Sequence, residues 1–575
     1  MIKLFRYLLP YWPSILFVLI LTFFQSLSQL FLPNIMSEIV DTGIVQGDTG
    51  FILRQGGLML LVATAGGLCI VGASFFAART GAGFGRDIRA RLFKHVESFS
   101  LHEFDTFGTA SLITRNTNDI TQVQMVTVMM LRLLVIAPMM AIGGIIMALQ
   151  KDAKLSLLIV VVVPILAVLI TLIASKAIPL FKSIQVKVDN LNRVLRERLT
   201  GVRVIRAFNR IDHEKERFNE ANTDLTQTAM KAARIVAVAM PVMMVMMNLA
   251  TAAVIWFGGM RIDSGAMQVG DLMAFIQYLM QIMFSLIMVT MMFVMIPRAS
   301  ASAVRINAVL KKPAEINDPE SPVHGREKKG YLEFRDVTFN YPGAEEPAIQ
   351  NISFSAKPGE VTAIIGGTGS GKSTLVNLVP RFYDVQKGAI LVDDLDVREM
   401  SQKELRNKIG YVPQQAVLFS GSITANIRYG KDDATIEEVR HAAETAQATE
   451  FIEEMEEKFD SIIAQAGTNI SGGQKQRLSI ARALVRKPEI YIFDDTFSAL
   501  DFKTDASLRE ALRKETADST VLIVAQRAAT VMDADRIIVL DDGKISGIGI
   551  HSELMKTSAV YREIVYSQLS VEELA

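Results

Sequence analysis

Cysteine is almost absent from this 575-residue sequence. The single Cys69 excludes a disulfide within the chain and any cysteine cluster able to hold zinc. Lying in an apolar run, it reads as a small buried hydrophobe. Charge is scarce as well: 21% of the residues are charged against 50% hydrophobic, and acids and bases balance to zero. No basic field argues for nucleic acid, and the chain is too apolar for an ordinary soluble protein.

The apolarity is uneven. The first half holds long runs with few charges, and the second alternates short apolar strands with polar helices. Six stretches reach the roughly 20 apolar residues that a membrane-spanning helix needs. They lie near 13–33, 57–78, 125–149, 155–177, 235–258 and 272–297. Lys3 and Arg6 precede the first, but it is too long for a signal peptide and leads into further spans. Residues 1–11 read as an amphipathic helix lying on the membrane. The segments after spans 2 and 4 are rich in basic residues, among them Arg86, Arg89, Arg91, Arg193, Arg196 and Arg198. They are expected in the cytoplasm, and the sparsely charged connections after spans 1, 3 and 5 outside.

The two basic segments are too long for simple loops. The expectation is that spans 2–3 and 4–5 extend as helices into the cytoplasm. One pair is joined by a turn near His102–Ser111, the other by a turn near Gly201–Asn209. Two readings of these turns stay open: they press on the second half of the chain, or they are solvated hairpins. Residues 311–330, rich in proline, glycine and charge, mark a linker. It separates a membrane domain, 1–310, from an α/β domain with a largely parallel sheet, 331–575. Gly81, Gly83 and Gly85 imitate part of a dinucleotide fingerprint, but a transmembrane stretch precedes them rather than a strand, so nucleotide binding is not expected there.

Chemistry concentrates in the second half. Gly366-Gly367-Thr368-Gly369-Ser370-Gly371-Lys372-Ser373, continued by Thr374, follows the strand VTAII and fits the P-loop pattern. Its glycines let backbone N–H groups curl around phosphate oxygens, and the helix that follows aims its N-terminus at the same anion. Lys372 is expected to reach the β- and γ-phosphates and Ser373 to ligate Mg²⁺. PEIYIFDD is an apolar strand ending in acids: Asp494 is expected on Mg²⁺ and Asp495 beside the attacking water.

These features, together with Ser471-Gly472-Gly473-Gln474 just before PEIYIFDD, resemble the ATP-binding cassette (ABC) family, whose signature motif this SGGQ matches. Other family motifs follow the resemblance. Tyr341 matches the aromatic residue stacked on adenine, and Gln414 the glutamine that contacts Mg²⁺ and water. Ser498-Ala499-Leu500-Asp501 matches the loop crossing the dimer interface. Six spans before one such domain resemble an exporter half-transporter of the type I layout. The resemblance implies ATP and Mg²⁺ as cofactors, a bacterial plasma-membrane location with the ATPase domain inside, and two domains closing head to tail. Each ATP would lie between one chain's P-loop and the other chain's signature, so a single chain cannot complete a site.

Three departures refine this. The family's catalytic Glu is here Asp495, whose carboxylate is retracted by roughly 1–1.5 Å, and a 1 Å misplacement costs about a hundredfold in rate. The switch histidine is Gln526, which cannot become a cation. Gln465 and Ala466 stand where exporters have a Glu-Arg pair. With SGGQ intact, the pattern is similar to the impaired-site subunit of heterodimeric multidrug exporters. The expectation is a second half-transporter as partner, a homodimer being the alternative, with membrane lipids around it and hydrophobic compounds as cargo. A lipid flippase, a peptide exporter and an ATP-sensing regulatory subunit are the competing readings. Methionines crowd spans 5 and 6 (Met240, Met243, Met244, Met246, Met247, Met273, Met280, Met283, Met288, Met291, Met292 and Met295). With Gln277, Gln281 and Asn248 they form either an adaptable drug cavity or ordinary helix packing. Arg132 within span 3 is either functional or snorkels to the surface. Glu38 and Asp41 either close an outer gate or are solvated loop charges.

Overall fold

The computed structural model describes residues 2–323 and 329–568, so the linker residues 324–328 and the last residues, 569–575, lie outside it. The side chains of Ile2, Met291, Phe293 and Val294 also lie outside the description. Two compact units emerge. One comprises Met1–Glu97 and Ala110–Lys312, the other Ser98–Thr109 and Pro313–Ala575.

Among the described residues, six helices are long and apolar enough to cross a membrane: span 1, Lys3–Ile44; span 2, Thr49–Glu97; span 3, Thr109–Lys151; span 4, Leu157–Thr200; span 5, Ile211–Asp263; span 6, Val269–Lys311. Residues 2–11 run into span 1 without a break, through a 3₁₀ stretch at Arg6–Tyr11. Lipid offers no hydrophobic drive for helix association, so small residues set how closely the spans approach. A Cβ added at Gly66 would lie 2.4 Å from the Ser28 hydroxyl of span 1, and one at Gly81 2.2 Å from Val128 of span 3. Gly85 abuts Gln124 and Gly83 abuts Tyr11 in the same way. The GAGFG run is therefore a close-approach face of span 2, in keeping with the absence of a preceding strand. Span 4 packs along span 5, and span 6 packs along spans 1 and 3.

Span 3 contains π-helical turns at Arg115–Asp119 and Met139–Gly143, and span 1 ends in one at Ile39–Ile44. Asp119, the last residue of the first of these, is buried and accepts from Ser302 (2.9 Å) and from Arg305 Nε (2.7 Å) on span 6. At the other end Lys151 pairs with Asp271 (2.8 Å), and Ser37 donates to Asp271 (2.8 Å). Asp41 there accepts from the Gly270 N–H (2.6 Å) and Glu38 from Asn34 (3.1 Å), so neither acid is a free loop charge. Arg132 Nε is buried and has no hydrogen-bond partner among the described residues. Among the methionines, Met283 is fully buried in the helix core, whereas Met240 and Met244 are more than half exposed.

The turns between spans 2 and 3 and between spans 4 and 5 hold short helices of their own. Leu101–Phe107 belongs to the second unit, where the fully buried Glu103 closes its capping box with Ser100. The same carboxylate accepts the Glu315 N–H (2.7 Å). Val202–Ala207 belongs to the first unit and buries none of its residues; Val204 and the following Phe208 are 61% and 74% exposed.

The second unit is an α/β domain. Its strands are β1 (Leu332–Phe339), β2 (Ile349–Ala356), β3 (Val361–Gly366), β4 (Lys387–Val392), β5 (Leu395–Asp396), β6 (Ile409–Val412), β7 (Gly421–Ser422), β8 (Ile462–Ile463), β9 (Ile490–Asp494), β10 (Thr520–Val524), β11 (Arg536–Asp541) and β12 (Lys544–Gly549). The main sheet runs β12-β11-β3-β10-β9-β6 and is parallel except for β12. An antiparallel sheet, β2-β1-β4-β5, packs beside it, and β7 pairs with β8. β9 and β10 are buried at every position because helices or the second sheet cover both faces. This is why they read as unbroken apolar runs rather than alternating ones.

Candidate nucleotide site

β3 lies between β10 and β11, and its carboxyl end turns into the P-loop. The loop's glycines do different jobs. A Cβ on Gly366 would fall 2.3 Å from the Leu540 carbonyl oxygen, and one on Gly371, at φ +93°, 2.7 Å from that of Ala348. These two let the loop press against neighbouring backbone. Gly367 and Gly369 face open space, with exposed Thr368 between them. They leave the cradle that a phosphate needs.

Lys372 opens the helix Lys372–Leu378 and is buried. Its ammonium donates to the Gly366 and Gly367 carbonyls (2.8 and 2.6 Å), inside the loop. Desolvation pushes its pKa down, opposed by the nearby Asp495 and Asp494. A phosphate entering the cradle would supply the charge this cation lacks. Ser373 donates to Asp494 Oδ1 (3.0 Å), so a hydroxyl and a carboxylate meet where the resemblance places Mg²⁺. Burial pushes the Asp494 carboxyl above its ordinary range, and Asp495 next to it adds to the shift. A divalent cation would relieve both, and the donor set of hydroxyl plus carboxylate suits a hard, oxygen-preferring ion.

Asp495 follows β9 at φ +49°, a left-handed conformation that L-residues adopt at a price in strain. Its N–H donates to the Val524 carbonyl (3.0 Å), and its own carbonyl accepts from Ser498 (2.9 Å). One carboxylate oxygen, Oδ2, accepts from both Gln526 Nε2 (2.8 Å) and Gln414 Nε2 (3.1 Å). Burial raises the Asp495 pKa as well, against the lowering effect of Gln414. The three positions that differ or sense most in the sequence thus meet on one atom.

Tyr341 hydrogen-bonds Thr374 (3.0 Å) and meets Tyr383 edge to face at 5.5 Å, which places an aromatic surface beside the P-loop helix. Ser471 caps the signature helix Gly472–Leu484 in a reciprocal box with Gln474. Gly472 is open to solvent, and Gly473 approaches the Ala499 carbonyl. Among the described residues no hydrogen bond joins Ser471–Gln474 to the P-loop. Gln465 and Ala466 form a tight turn in which Ala466 takes φ +55° and accepts from Lys475 (2.9 Å). Sequence reasoning missed Tyr383 and also Gln476, which is buried in the signature helix and donates to the Pro413 carbonyl beside Gln414 (3.2 Å). Neither lies in a motif that marks it.

The ABC transporter transmembrane region matches residues 15–286, and the ABC transporter domain matches residues 349–498. The chain belongs to the ABC transporter family. An uncharacterized ABC transporter ATP-binding protein of Mycobacterium tuberculosis is 45% identical over 98% of this chain and 97% of its own length. An ATP-dependent lipid A-core flippase of Desulfotalea psychrophila is 32% identical over 92% of each chain. The putative multidrug export ATP-binding/permease protein YgaD of Bacillus subtilis is 31% identical over 97% of each. A bacterial Atm1-family ABC exporter, solved with ATP bound, superposes with a TM-score of 0.79 at 25% identity, over 98% of this chain and 99% of that one. The protein is thus an ABC exporter half-transporter: a multi-pass membrane domain joined to one ATPase domain that couples hydrolysis to transport. Exporters of this build work as dimers of two such halves.

Proposed function

We propose that this half-transporter pairs with a different half-transporter to drive hydrophobic compounds outward across the bacterial plasma membrane, and that its own P-loop site binds ATP but hydrolyses it slowly. The observation that carries this reading is the shared hydrogen bonding of Asp495 Oδ2 by Gln526 and Gln414. A carboxylate shortened by one methylene and bound by two amides is a poor general base. It is out of reach of an attacking water, and the oxygen that would take the proton is already occupied by two amide donors. Gln526 supplies a neutral amide where a histidine would offer a cation. Bound Mg-ATP would supply the phosphoryl chemistry. Lys372 would hold its β- and γ-phosphates, Ser373, Asp494 and Gln414 its metal, and Tyr341 its adenine. Gly366 through Thr374 would wrap its phosphates, and Ser471, Gly472, Gly473 and Gln474 would face the nucleotide held by the partner.

The intact signature cap supports a role in completing the partner's site. The exposed apolar tip formed by Val204 and Phe208 supports a second chain against which it is buried. The multidrug reading leans on the exposed methionines of span 5 and on the likeness to the putative multidrug exporter. The likeness to lipid flippases supports a lipid-translocating homodimer as the second reading. Purifying the tagged chain from its native membrane tests the pairing. A distinct half-transporter at equal stoichiometry, with this chain alone turning over ATP slowly, is expected. Recovery of only this chain, together with fast hydrolysis that Asp495→Ala abolishes, would overturn it.

A further inference from the structure

The helix Ala559–Gln568 buries Tyr561 and Val565, and the Tyr561 hydroxyl hydrogen-bonds His551 Nδ1 (2.9 Å). Gln568 stands three residues beyond Val565 and seven beyond Tyr561, so it continues the stripe that docks the helix. At the end of that stripe its carboxamide meets the segment that follows β10. Oε1 accepts the Ala528 N–H (2.7 Å), and Nε2 donates to the Gln526 carbonyl (2.8 Å). Only one orientation of the amide satisfies both bonds, so the clasp is directional.

The segment needs such a clasp. The helix Ala528–Val531 is one turn long, and Arg527, at its N-cap, makes no side-chain capping bond. Its first N–H groups are therefore orphans. Gln568 supplies the missing cap from forty residues further along the chain. From the same segment the Gln526 side chain reaches Asp495 Oδ2, and Arg527 donates to the Ser498 carbonyl (3.2 Å). The backbone of Gln526–Ala528 is thus held by Gln568 on one side and holds the acidic end of the nucleotide site on the other.

We propose that Gln568 is a positioning residue of this ATP site: by fixing the backbone of Gln526–Ala528 it keeps the Gln526 carboxamide on Asp495, and so governs how long the site retains its nucleotide. The inference rests on the reading that Asp494, Asp495 and Gln526 line the nucleotide site, and it holds whether that site hydrolyses slowly or quickly.

The test uses the transporter purified with its partner. It is loaded in the dark with 8-azido-[α-³²P]ATP and Mg²⁺, chased with unlabelled ATP, and crosslinked by ultraviolet light after increasing times. Label on this chain is then counted. With both bonds of the clasp lost, Gln568→Ala should shorten retention about tenfold. Gln568→Glu still accepts from Ala528 but cannot donate to Gln526, and should fall between Gln568→Ala and the unaltered chain. Gln526→Ala should shorten retention too, and Gln568→Ala should add nothing on top of it. Unaltered retention in Gln568→Ala beside short retention in Gln526→Ala would overturn the inference. So would a full additional loss in the double variant, since a merely structural role for the helix would act independently of Gln526. If neither Gln526→Ala nor Lys372→Ala changed the labelling, the site reading itself would fall, and the inference with it.

Discussion

Asp495 is bound by two carboxamides on a single oxygen, and this suggests the substitution with the most to say about the chain. Asp495→Glu restores the missing methylene and moves the carboxylate toward the water it would activate. Combined with Gln526→His, it should raise hydrolysis at this site by about a hundredfold. The check is the share of nucleotide on this chain recovered as ADP in the assembled transporter. Lys372 makes the opposite case. Its ammonium is buried among loop carbonyls with its pKa depressed by desolvation, an arrangement suited to a phosphate as partner. Lys372→Ala should weaken ATP binding at least about tenfold, the loss of one charge-assisted contact. Photolabelling of this chain over a range of nucleotide concentrations reads that loss directly.

At the level of helices and strands, Glu103 fastens the short helix Leu101–Phe107 to the backbone of Glu315 within the ATPase unit. Its pKa lies below the ordinary value of 4.5: hydrogen bonds from Ser100 and Glu315 overcome a desolvation effect that alone would raise it. A depressed carboxyl contributes stability above its unfolded pKa, and that stability is lost as pH falls through the folded one. Acid titration of the unfolding midpoint from pH 7 to below 4.5 should therefore fall more steeply for the unaltered protein than for Glu103→Gln. In span 2, a side chain at Gly81 collides with Val128. Gly81→Leu should destabilise the membrane unit by about 1–3 kcal/mol, seen as a lower thermal midpoint in detergent. These positions also show what the sequence could and could not reveal. The P-loop and its acids were legible because their chemistry is local: a strand, a glycine run and a lysine stand in consecutive positions. Span count and the parallel sheet were legible from apolar runs. The clasp of Gln568 on Gln526 and the hold of Gln476 on Pro413 were not, because each joins segments far apart in the chain and only the fold brings them together. The π-helical turns of span 3 leave no compositional trace either, and the buried Asp119 lies at the end of one of them.

For the whole molecule, the methionines divide between roles that a count could not separate. Met283 is core, while Met240 and Met244 expose more than half their surface. A photoreactive hydrophobic cation, added to the assembled transporter, is expected to label span 5 at or beside Met240 and Met244 and to be displaced by transported compounds. Labelling confined to other spans would place the cargo elsewhere.

The order of strands in the main sheet has a consequence for how the protein is made. β3 carries the P-loop, yet both its neighbours, β10 and β11, come much later in the chain; Val361 pairs with Val521. At the roughly 5–20 residues per second of synthesis, about 8–30 s separate the making of β3 from that of its first partner. Throughout that interval a fully apolar strand end waits unpaired, with no sheet to brace the loop. The nucleotide site is therefore among the last parts of the domain to assemble. Faults in β10 or β11 should be punished during biogenesis, as chains that are degraded or aggregate, before any question of transport arises.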